Sequence, residues 1–248
     1  MFPYRDHNPP ATVPVVTIVL IALNCIAFFV ELQQGQGLDD FINGYGLTPA
    51  RVFASTGSAP VDVALPWEPE TQRVYSVPVW LTFLTSMFLH GGWLHLLGNM
   101  WYLWIFGDNV EDRMGHFKFL LFYLLCGLAA ALAQTAANTG SHVPMVGASG
   151  AIAGVLGAYL IAFPTARVST LLFLGFFITV VQMPAFVLLG FWFALQFFSG
   201  MGSMSLDEAG GVAWWAHIGG FVAGMALLFV FQKPAPKRRA YAYSPRFR

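Results

Sequence analysis

The chain has 248 residues, of which 57% are hydrophobic and 10% are charged, and its formal net charge is zero. Soluble globular domains carry about 25% charged residues, so the composition indicates a polytopic membrane protein. A zero net charge also argues against nucleic acid as a partner. Cys25 and Cys126 both lie inside apolar runs, which favours buried thiols over a disulfide or a metal pair.

Residues 1–12 are expected to form a short cytoplasmic tail before a permanent transmembrane helix. The segment has little positive charge, and no small-residue cleavage site follows the first apolar run, which ends in FFVELQQ. A secretory signal peptide requires both features, so this pattern does not predict one. The segment is not rich in Arg and Ser either, which argues against a mitochondrial transit peptide.

Six apolar segments are candidate membrane spans, because a span needs roughly 20 mostly apolar residues. They cover residues 13–30, 92–106, 117–136, 149–163, 185–198 and 212–231. The second span could begin earlier, within VWLTFLTSMFLHGG. The apolar stretch 169–181 is short for a span, so we expect an interfacial or re-entrant segment, or an early extension of the fifth helix.

The basic residues provide an independent check on the number of spans. With six spans, both termini and the loops around 107–117 and 164–168 share one side, and that side carries ten of the twelve Lys and Arg residues. The positive-inside rule assigns such a side to the cytoplasm. The sequence therefore predicts an all-α polytopic membrane protein with six transmembrane helices and both termini cytoplasmic.

The membrane domain is expected to span residues 13–231, and its longest connection is the extracytoplasmic loop 32–79. This loop contains Trp67, several prolines and a net negative charge. Structureless loops of such length are uncommon, so we expect it to be structured or to fold back onto the membrane. Residues 232–248 are predicted to form a basic cytoplasmic tail that touches lipid headgroups.

Polar residues lie at the starts of three of the predicted spans. His90, His95 and Asn99 lie at or near the second span, Ser149 begins the fourth, and His217 lies early in the sixth. Polar groups in a span are costly and suggest function. His95 and Asn99 are four residues apart, so they share a helix face. All three spans would start outside, so the groups lie at similar depth and indicate one shared site.

Serine and histidine together form the minimal pair of nucleophile and general base. Ser149 Oγ would attack a carbonyl carbon while His217 takes its proton, and Asn99, His95 and the serine N–H would stabilise the oxyanion. The predicted spans contain no Asp or Glu, so we expect a dyad, with His217 held by packing and one further hydrogen bond. Ala151 stands where a nucleophile elbow has glycine, which excludes an α/β-hydrolase.

Helix packing is a structural alternative for the same segments. Gly150 and Gly154 form a small-xxx-small pair in the fourth span, and Gly220 and Gly224 form another in the sixth. Taken alone, the serine of GASG would be one more contact residue. The same pattern would bring the two helices close enough for the serine and the histidine to meet, so packing and catalysis are compatible.

A zinc site formed by His90, His95 and His217 is a second chemical alternative. The spacing is not H-E-x-x-H, and no acidic ligand accompanies these residues. We therefore expect no metal and no other cofactor.

Taken in order, HGGWLHLLGNM, VEDRMG, GASG and AHIGG resemble the rhomboid family of intramembrane serine proteases, over residues 80–224. The resemblance implies a six-helix rhomboid core with Ser149 as nucleophile, His217 as general base, and His95 and Asn99 on the oxyanion side. It also implies cleavage of transmembrane substrates near the membrane surface without metal or nucleotide. The partners would then be single-span membrane proteins and the lipid bilayer.

The resemblance also bears on residues outside the dyad. Glu111 and Arg113 match an E-x-R element that we interpret as structural. Leu81 and Thr82 stand where many members have Trp-Arg, which affects the anchoring of the first long loop. Ala153 stands where some members have an aromatic residue that packs on the catalytic histidine, so His217 must be held differently.

Two further functions compete with an active protease. A rhomboid-like binder of transmembrane segments would be expected to lack the serine or the histidine, and this chain has both. A small transporter or channel would be expected to carry charged residues near the bilayer midplane, and the predicted spans carry none. We expect a bacterial inner membrane as the location, and an archaeal membrane fits as well.

Overall fold

The computed structural model describes residues 2–54, 77–174, 177–203 and 213–233, and within these ranges it has nine α-helices and three strands. The helices are α1 Val15–Leu32, α2 Leu38–Tyr45, α3 Pro49–Ala54, α4 Val79–Thr85, α5 Trp93–Met114, α6 His116–Ala137, α7 Ser149–Ala162, α8 Ala185–Ser203 and α9 Trp214–Phe231. The strands are β1 Phe2–Asp6, β2 Arg167–Leu174 and β3 Phe177–Pro184.

Helices occupy the positions of all six predicted spans, namely α1, α5, α6, α7, α8 and α9. The largest difference is in α5, which continues to Met114, about two turns beyond its predicted end at residue 106. The segment VWLTFLT forms the separate helix α4, so α5 does not begin earlier than Trp93. Of the helices described, α1, α6 and α9 are each long and apolar enough to cross a membrane. The predicted start of the sixth span, residue 212, lies outside the described residues.

A three-stranded antiparallel sheet corrects the prediction of an all-α fold. Strand β2 lies in the middle, pairing with β1 on one side and with β3 on the other. The β2–β3 register runs from Arg167 opposite Pro184 to Leu174 opposite Phe177. Within the apolar stretch 169–181, residues 169–174 therefore belong to β2 and residues 177–181 to β3, and the prediction of an extension of α8 is wrong. β-Branched residues such as those of ITVV favour strands, and pairing satisfies their backbone N–H and C=O groups.

Strand β1 fixes the N-terminal tail to the ends of α5 and α7. The Asp6 carboxylate accepts hydrogen bonds from the Tyr159 hydroxyl and from Asn109 Nδ2, both at 2.8 Å. Trp101 Nε1 donates to the carbonyl oxygen of Pro3 at 2.7 Å. Burial raises the pKa of the Asp6 carboxyl above its usual value, although the hydrogen bond from Tyr159 acts in the opposite direction. The predicted tail is thus partly a strand of the sheet.

Glu111 joins the end of α5 to the start of α1. Its buried carboxylate accepts hydrogen bonds from the backbone N–H groups of Val16 and Thr17, both at 2.8 Å, and from the Thr17 hydroxyl at 2.7 Å. A carboxylate suits the first turn of a helix, where N–H groups lack intrahelical partners. Arg113 donates to Gln232 Oε1 at 2.9 Å, just after α9. These contacts agree with a structural E-x-R element.

We expect Glu111→Ala to lower the free energy of unfolding by roughly 3 kcal/mol or more, because it leaves buried donors without an acceptor. Thermal or SDS-induced unfolding in detergent would measure the loss. The neighbouring variant Asp112→Ala is the control, since Asp112 accepts its hydrogen bonds at an exposed site and should contribute about 1 kcal/mol or less. Equal losses in the two variants would contradict the structural role of Glu111.

Glycines of α7 and α9 bring the two helix backbones into direct contact. A Cβ atom on Gly220 would lie 2.0 Å from the carbonyl oxygen of Gly150, and one on Gly224 would lie 2.0 Å from that of Gly154. Neither position has space for a side chain. The two predicted small-residue pairs therefore meet each other, and they set the distance between α7 and α9.

The described part of the long first loop is structured, which is one of the two predicted alternatives, and it contacts the membrane domain. Leu47 and Met145 exchange backbone hydrogen bonds of 3.0 and 2.8 Å, and the N–H of Ala50 donates to the carbonyl oxygen of Ser141 at 3.0 Å. Both contacts are with the segment that precedes α7. The rest of the loop, including Trp67, lies outside the described residues.

Candidate active site

The N-terminal parts of α5, α7 and α9 meet at one cavity of about 520 Å³. His95 and Asn99 of α5, Ser149 of α7 and His217 of α9 all line it, so the structure brings these four side chains together. The remaining lining is mostly apolar: Leu94, Gly98, Tyr102, Val143, Pro144, Met145, Val146, Ile152, Ala153, Leu156, Trp192 and Ala213. The cavity therefore combines a few polar groups with an apolar wall.

Ser149 and His217 form a hydrogen-bonded pair at this cavity. The Ser149 hydroxyl oxygen lies 2.8 Å from Nε2 of His217. Ser149 is the first residue of α7, so its own N–H has no acceptor within the helix. His217 is 9% exposed and lies in the first turn of α9. The glycine contacts between α7 and α9 hold the two side chains at this separation.

The second ring nitrogen of His217 contacts a residue that the sequence analysis did not identify. His217 Nδ1 lies 2.6 Å from Gln196 Oε1 on α8. Trp192 and Trp214 are the aromatic neighbours of the histidine, with ring centroids 5.9 and 6.4 Å away. Ala153 has no ring, so these residues hold His217 instead. The sequence could have pointed to Gln196, because it is the only amide, hydroxyl or charged side chain in residues 185–198.

Asn99 and His95 present hydrogen-bond donors to the cavity. Asn99 is 7% exposed, and its Nδ2 is a buried donor with no partner among the described residues. The N–H of Gly91 donates to His95 Nδ1 at 3.3 Å, so the proton of the neutral ring lies on Nε2. Both groups can therefore donate to an oxygen atom bound in the cavity.

Gly147 separates His95 from Ser149 and has to be glycine for two reasons. Its φ of +125° is a conformation that residues with a Cβ atom rarely adopt. A Cβ atom there would also lie 2.8 Å from His95 Nε2 and 3.6 Å from Ser149 Oγ. The N–H of Gly147 donates to the carbonyl oxygen of Ser86 at 2.9 Å, which fixes the turn before α7.

His90 does not line the cavity, although its ring lies 5.1 Å from that of His95. Its backbone N–H donates to the Glu31 carboxylate, with both oxygens at 3.1 Å, and its Nδ1 lies 3.2 Å from the carbonyl oxygen of Phe88. Glu31 belongs to the last turn of α1, just beyond the predicted span. In the described ranges, no three His, Cys, Asp or Glu residues are grouped as metal ligands would be. His90 thus anchors the segment before α5 to α1.

A family model and several curated relatives point to the same family. The family model described as Rhomboid domain matches residues 78–234. The chain is 32% identical to Rhomboid protease GluP of Bacillus subtilis over 211 residues, which are 85% of this chain and 34% of that protein. It is 30% identical to Rhomboid-like protein 11, chloroplastic, of Arabidopsis thaliana over 167 residues, which are 64% of this chain and 55% of that protein.

A third relative is Rhomboid protein 1, mitochondrial, of Saccharomyces cerevisiae, which is 30% identical over 169 residues. That match covers 64% of this chain and 44% of the yeast protein. The chain thus spans between about a third and just over half the length of these curated relatives. With the family match across most of its helices, the chain belongs to the rhomboid family.

Proposed function

We propose that the protein is an intramembrane serine endopeptidase that uses Ser149 and His217 as a catalytic dyad. The observation that carries this proposal is the 2.8 Å contact between Ser149 Oγ and His217 Nε2 at a cavity with an unpaired amide donor. A serine needs an adjacent base to act as a nucleophile at neutral pH. The name of the Bacillus relative, a rhomboid protease, is consistent with this chemistry.

In the first step, Ser149 Oγ attacks the carbonyl carbon of the scissile peptide bond while His217 Nε2 takes the hydroxyl proton. The carbonyl oxygen becomes an oxyanion. Asn99 Nδ2–H, His95 Nε2–H and the backbone N–H of Ser149 are the available donors, and the positive end of α7 favours the same charge. These groups are fixed before the reaction, so they stabilise the developing charge without reorganising.

Collapse of the tetrahedral intermediate breaks the C–N bond, and His217 returns its proton to the leaving amine. The products of this half-reaction are the amine fragment and an acyl ester on Ser149. A water molecule, deprotonated by His217, then attacks the ester and releases the carboxyl fragment with regeneration of the serine hydroxyl. Neither half-reaction requires a metal or another cofactor.

The proposed substrates are single-span membrane proteins. The cavity wall is mostly apolar and lies between helices whose outer faces are apolar, so it suits a segment that arrives from the lipid. A transmembrane helix has its backbone groups paired internally, so a few residues must unwind before a carbonyl group can reach Ser149. Helix-breaking residues near the cut should therefore favour cleavage.

Six spans with both termini in the cytoplasm is the proposed arrangement in the membrane. The starts of α5, α7 and α9 share the cavity, whereas the end of α5 meets the start of α1 through Glu111. Helices α5, α7 and α9 thus start on the same side, and α1 starts on the opposite side. The positive-inside rule supports a cavity at the extracytoplasmic face. We propose a bacterial inner membrane, although the names of relatives also include chloroplast and mitochondrial proteins.

The test is labelling of the purified protein in detergent with a fluorophosphonate, a probe that reacts with activated serines. We expect one equivalent of label on the wild type and none on Ser149→Ala, because the phosphonyl group bonds to Oγ. Peptide mapping should locate the label on Ser149.

Two other outcomes would contradict parts of the proposal. A folded wild-type protein that does not label would favour a rhomboid-like binder that recognises transmembrane segments without cutting them. Labelling that persists in Ser149→Ala would show that another serine is the activated one.

A further inference from the structure

Gln196 is placed to act on the side of His217 that faces away from the serine. The imidazole ring lies between two partners, with Ser149 Oγ 2.8 Å from Nε2 and Gln196 Oε1 2.6 Å from Nδ1. The first partner belongs to α7 and the second to α8, whereas the ring belongs to α9. Orientation of this ring therefore depends on three helices.

The chemistry of the amide oxygen fixes which ring nitrogen carries the proton. A carbonyl oxygen can only accept, so the contact at 2.6 Å requires a proton on His217 Nδ1. A neutral imidazole then has its lone pair on Nε2, where it can accept the proton of Ser149. The opposite tautomer would place a proton on Nε2 and leave no base facing the serine.

The neutral amide suits this site better than a carboxylate would. Gln196 is half-buried in a helix whose other residues between 185 and 198 are apolar, and a buried anion in such surroundings is costly. The amide orients the ring without that penalty. Trp192, one turn earlier on α8, lies beside the same ring at 5.9 Å and restricts its rotation.

We propose that Gln196 is a positioning residue that sets the reactive tautomer of His217. The inference rests on the proposed serine-protease function and extends it, because it assigns the orienting role to an uncharged side chain of α8. Gln196 does not touch the substrate in this proposal. It acts only through the ring of His217.

The first experiment measures the tautomer directly by NMR of protein labelled with ¹⁵N-histidine in detergent. The signal of His217 is assigned by its loss in His217→Ala. We expect a protonated Nδ1 and an unprotonated Nε2 in the wild type. In Gln196→Leu the signal should shift toward the Nε2–H form, which free histidine prefers. A wild-type ring with its proton on Nε2 would overturn the proposal.

The second experiment measures the rate of fluorophosphonate labelling as a function of pH. Gln196→Leu should label roughly 10-fold more slowly, which is the equivalent of one lost hydrogen bond. Gln196→Glu keeps an acceptor and should restore the rate at high pH. Its carboxylate favours the protonated ring, so the rising limb of its rate–pH profile should move to higher pH. A glutamine that only packed against the ring would not predict that Gln196→Glu recovers the labelling rate that Gln196→Leu loses.

The control is Gln134→Leu, the same substitution at a glutamine whose Oε1 accepts the N–H of Ala216 at 3.2 Å. That variant also loses a hydrogen bond to the first turn of α9, but it keeps both contacts of the His217 ring. We expect it to retain the wild-type tautomer. Its labelling rate should stay within about 3-fold of the wild type, a smaller change than the 10-fold loss expected for Gln196→Leu. If it matched Gln196→Leu in both measurements, the effect would be structural and the proposal would be overturned.

The two experiments separate this proposal from the proposed function. Labelling of Ser149 that is unaffected by Gln196→Leu, with an unchanged tautomer, would overturn the positioning role and leave the protease assignment intact. If the wild type does not label but its Nδ1 proton depends on Gln196, the protease assignment would be overturned. The role of Gln196 in setting the tautomer would then stand. If Gln196→Leu does not fold, the wild-type tautomer still decides the question, because a proton on Nε2 would overturn the proposal.

Discussion

His217→Ala is expected to lower the second-order rate constant of fluorophosphonate labelling by about 10²- to 10⁴-fold, because a positioned general base contributes that much to such reactions. Ser149 Oγ has the imidazole as its hydrogen-bond partner at 2.8 Å. Without it, the hydroxyl group must lose its proton to water in a mostly apolar cavity. The measurement is a time course of probe incorporation, read by fluorescence after electrophoresis.

His142→Ala is the control for this prediction. His142 lies in the segment before α7, near the cavity in sequence, but it does not line the cavity. It should label at the wild-type rate. A His217→Ala variant that labels as fast as the wild type would show that Ser149 is activated by another group, and the dyad would have to be abandoned.

The second large effect is expected at the contact between α7 and α9. In Gly224→Ala the new Cβ atom would lie 2.0 Å from the carbonyl oxygen of Gly154, so the two backbones must move apart. Such overpacking lowers the free energy of unfolding by about 1–3 kcal/mol. A displacement near 1 Å also misaligns Ser149 and His217, and it should slow labelling by roughly 10²-fold.

Gly190→Ala is the matched control, because a Cβ atom on Gly190 of α8 would meet no atom within 4 Å. There the substitution should raise helix stability by up to about 1 kcal/mol. Unfolding in detergent, followed by circular dichroism, would compare the two variants. If Gly224→Ala were as stable as Gly190→Ala, the glycine contact would not be what holds the two helices together.

The sequence alone was sufficient for the features that depend on local composition. A membrane-spanning helix is a run of apolar residues, and its length is set by the bilayer, so the positions of these helices could be predicted within about five residues, except for the end of α5. His95 and Asn99 share a face because helix geometry is regular. The small-residue pairs of α7 and α9 predicted a close contact, since only glycine lets two backbones approach so nearly.

The sheet could not be predicted because its strands owe their stability to partners far away in the chain. Residues 169–181 are apolar without a clear alternation, and length alone argued against a span. What makes the described residues of this stretch strands is the pairing of β2 with β3 and with β1, which lies more than 150 residues earlier. Backbone groups of an extended segment need such partners, and no local pattern shows where those partners lie.

The partners of the polar residues were decided by the tertiary structure for the same reason. The sequence predicted that His217 needs another hydrogen bond, but helix packing alone selects Gln196 to provide it. The predicted spans contained no Asp or Glu. In the structure α1 extends past its predicted end, so Glu31 lies in its last turn and accepts a hydrogen bond from the backbone N–H of His90. Composition determined that this protein has buried polar groups among membrane helices. Which of those groups meet depends on distances between helices, and these are fixed only when side chains pack.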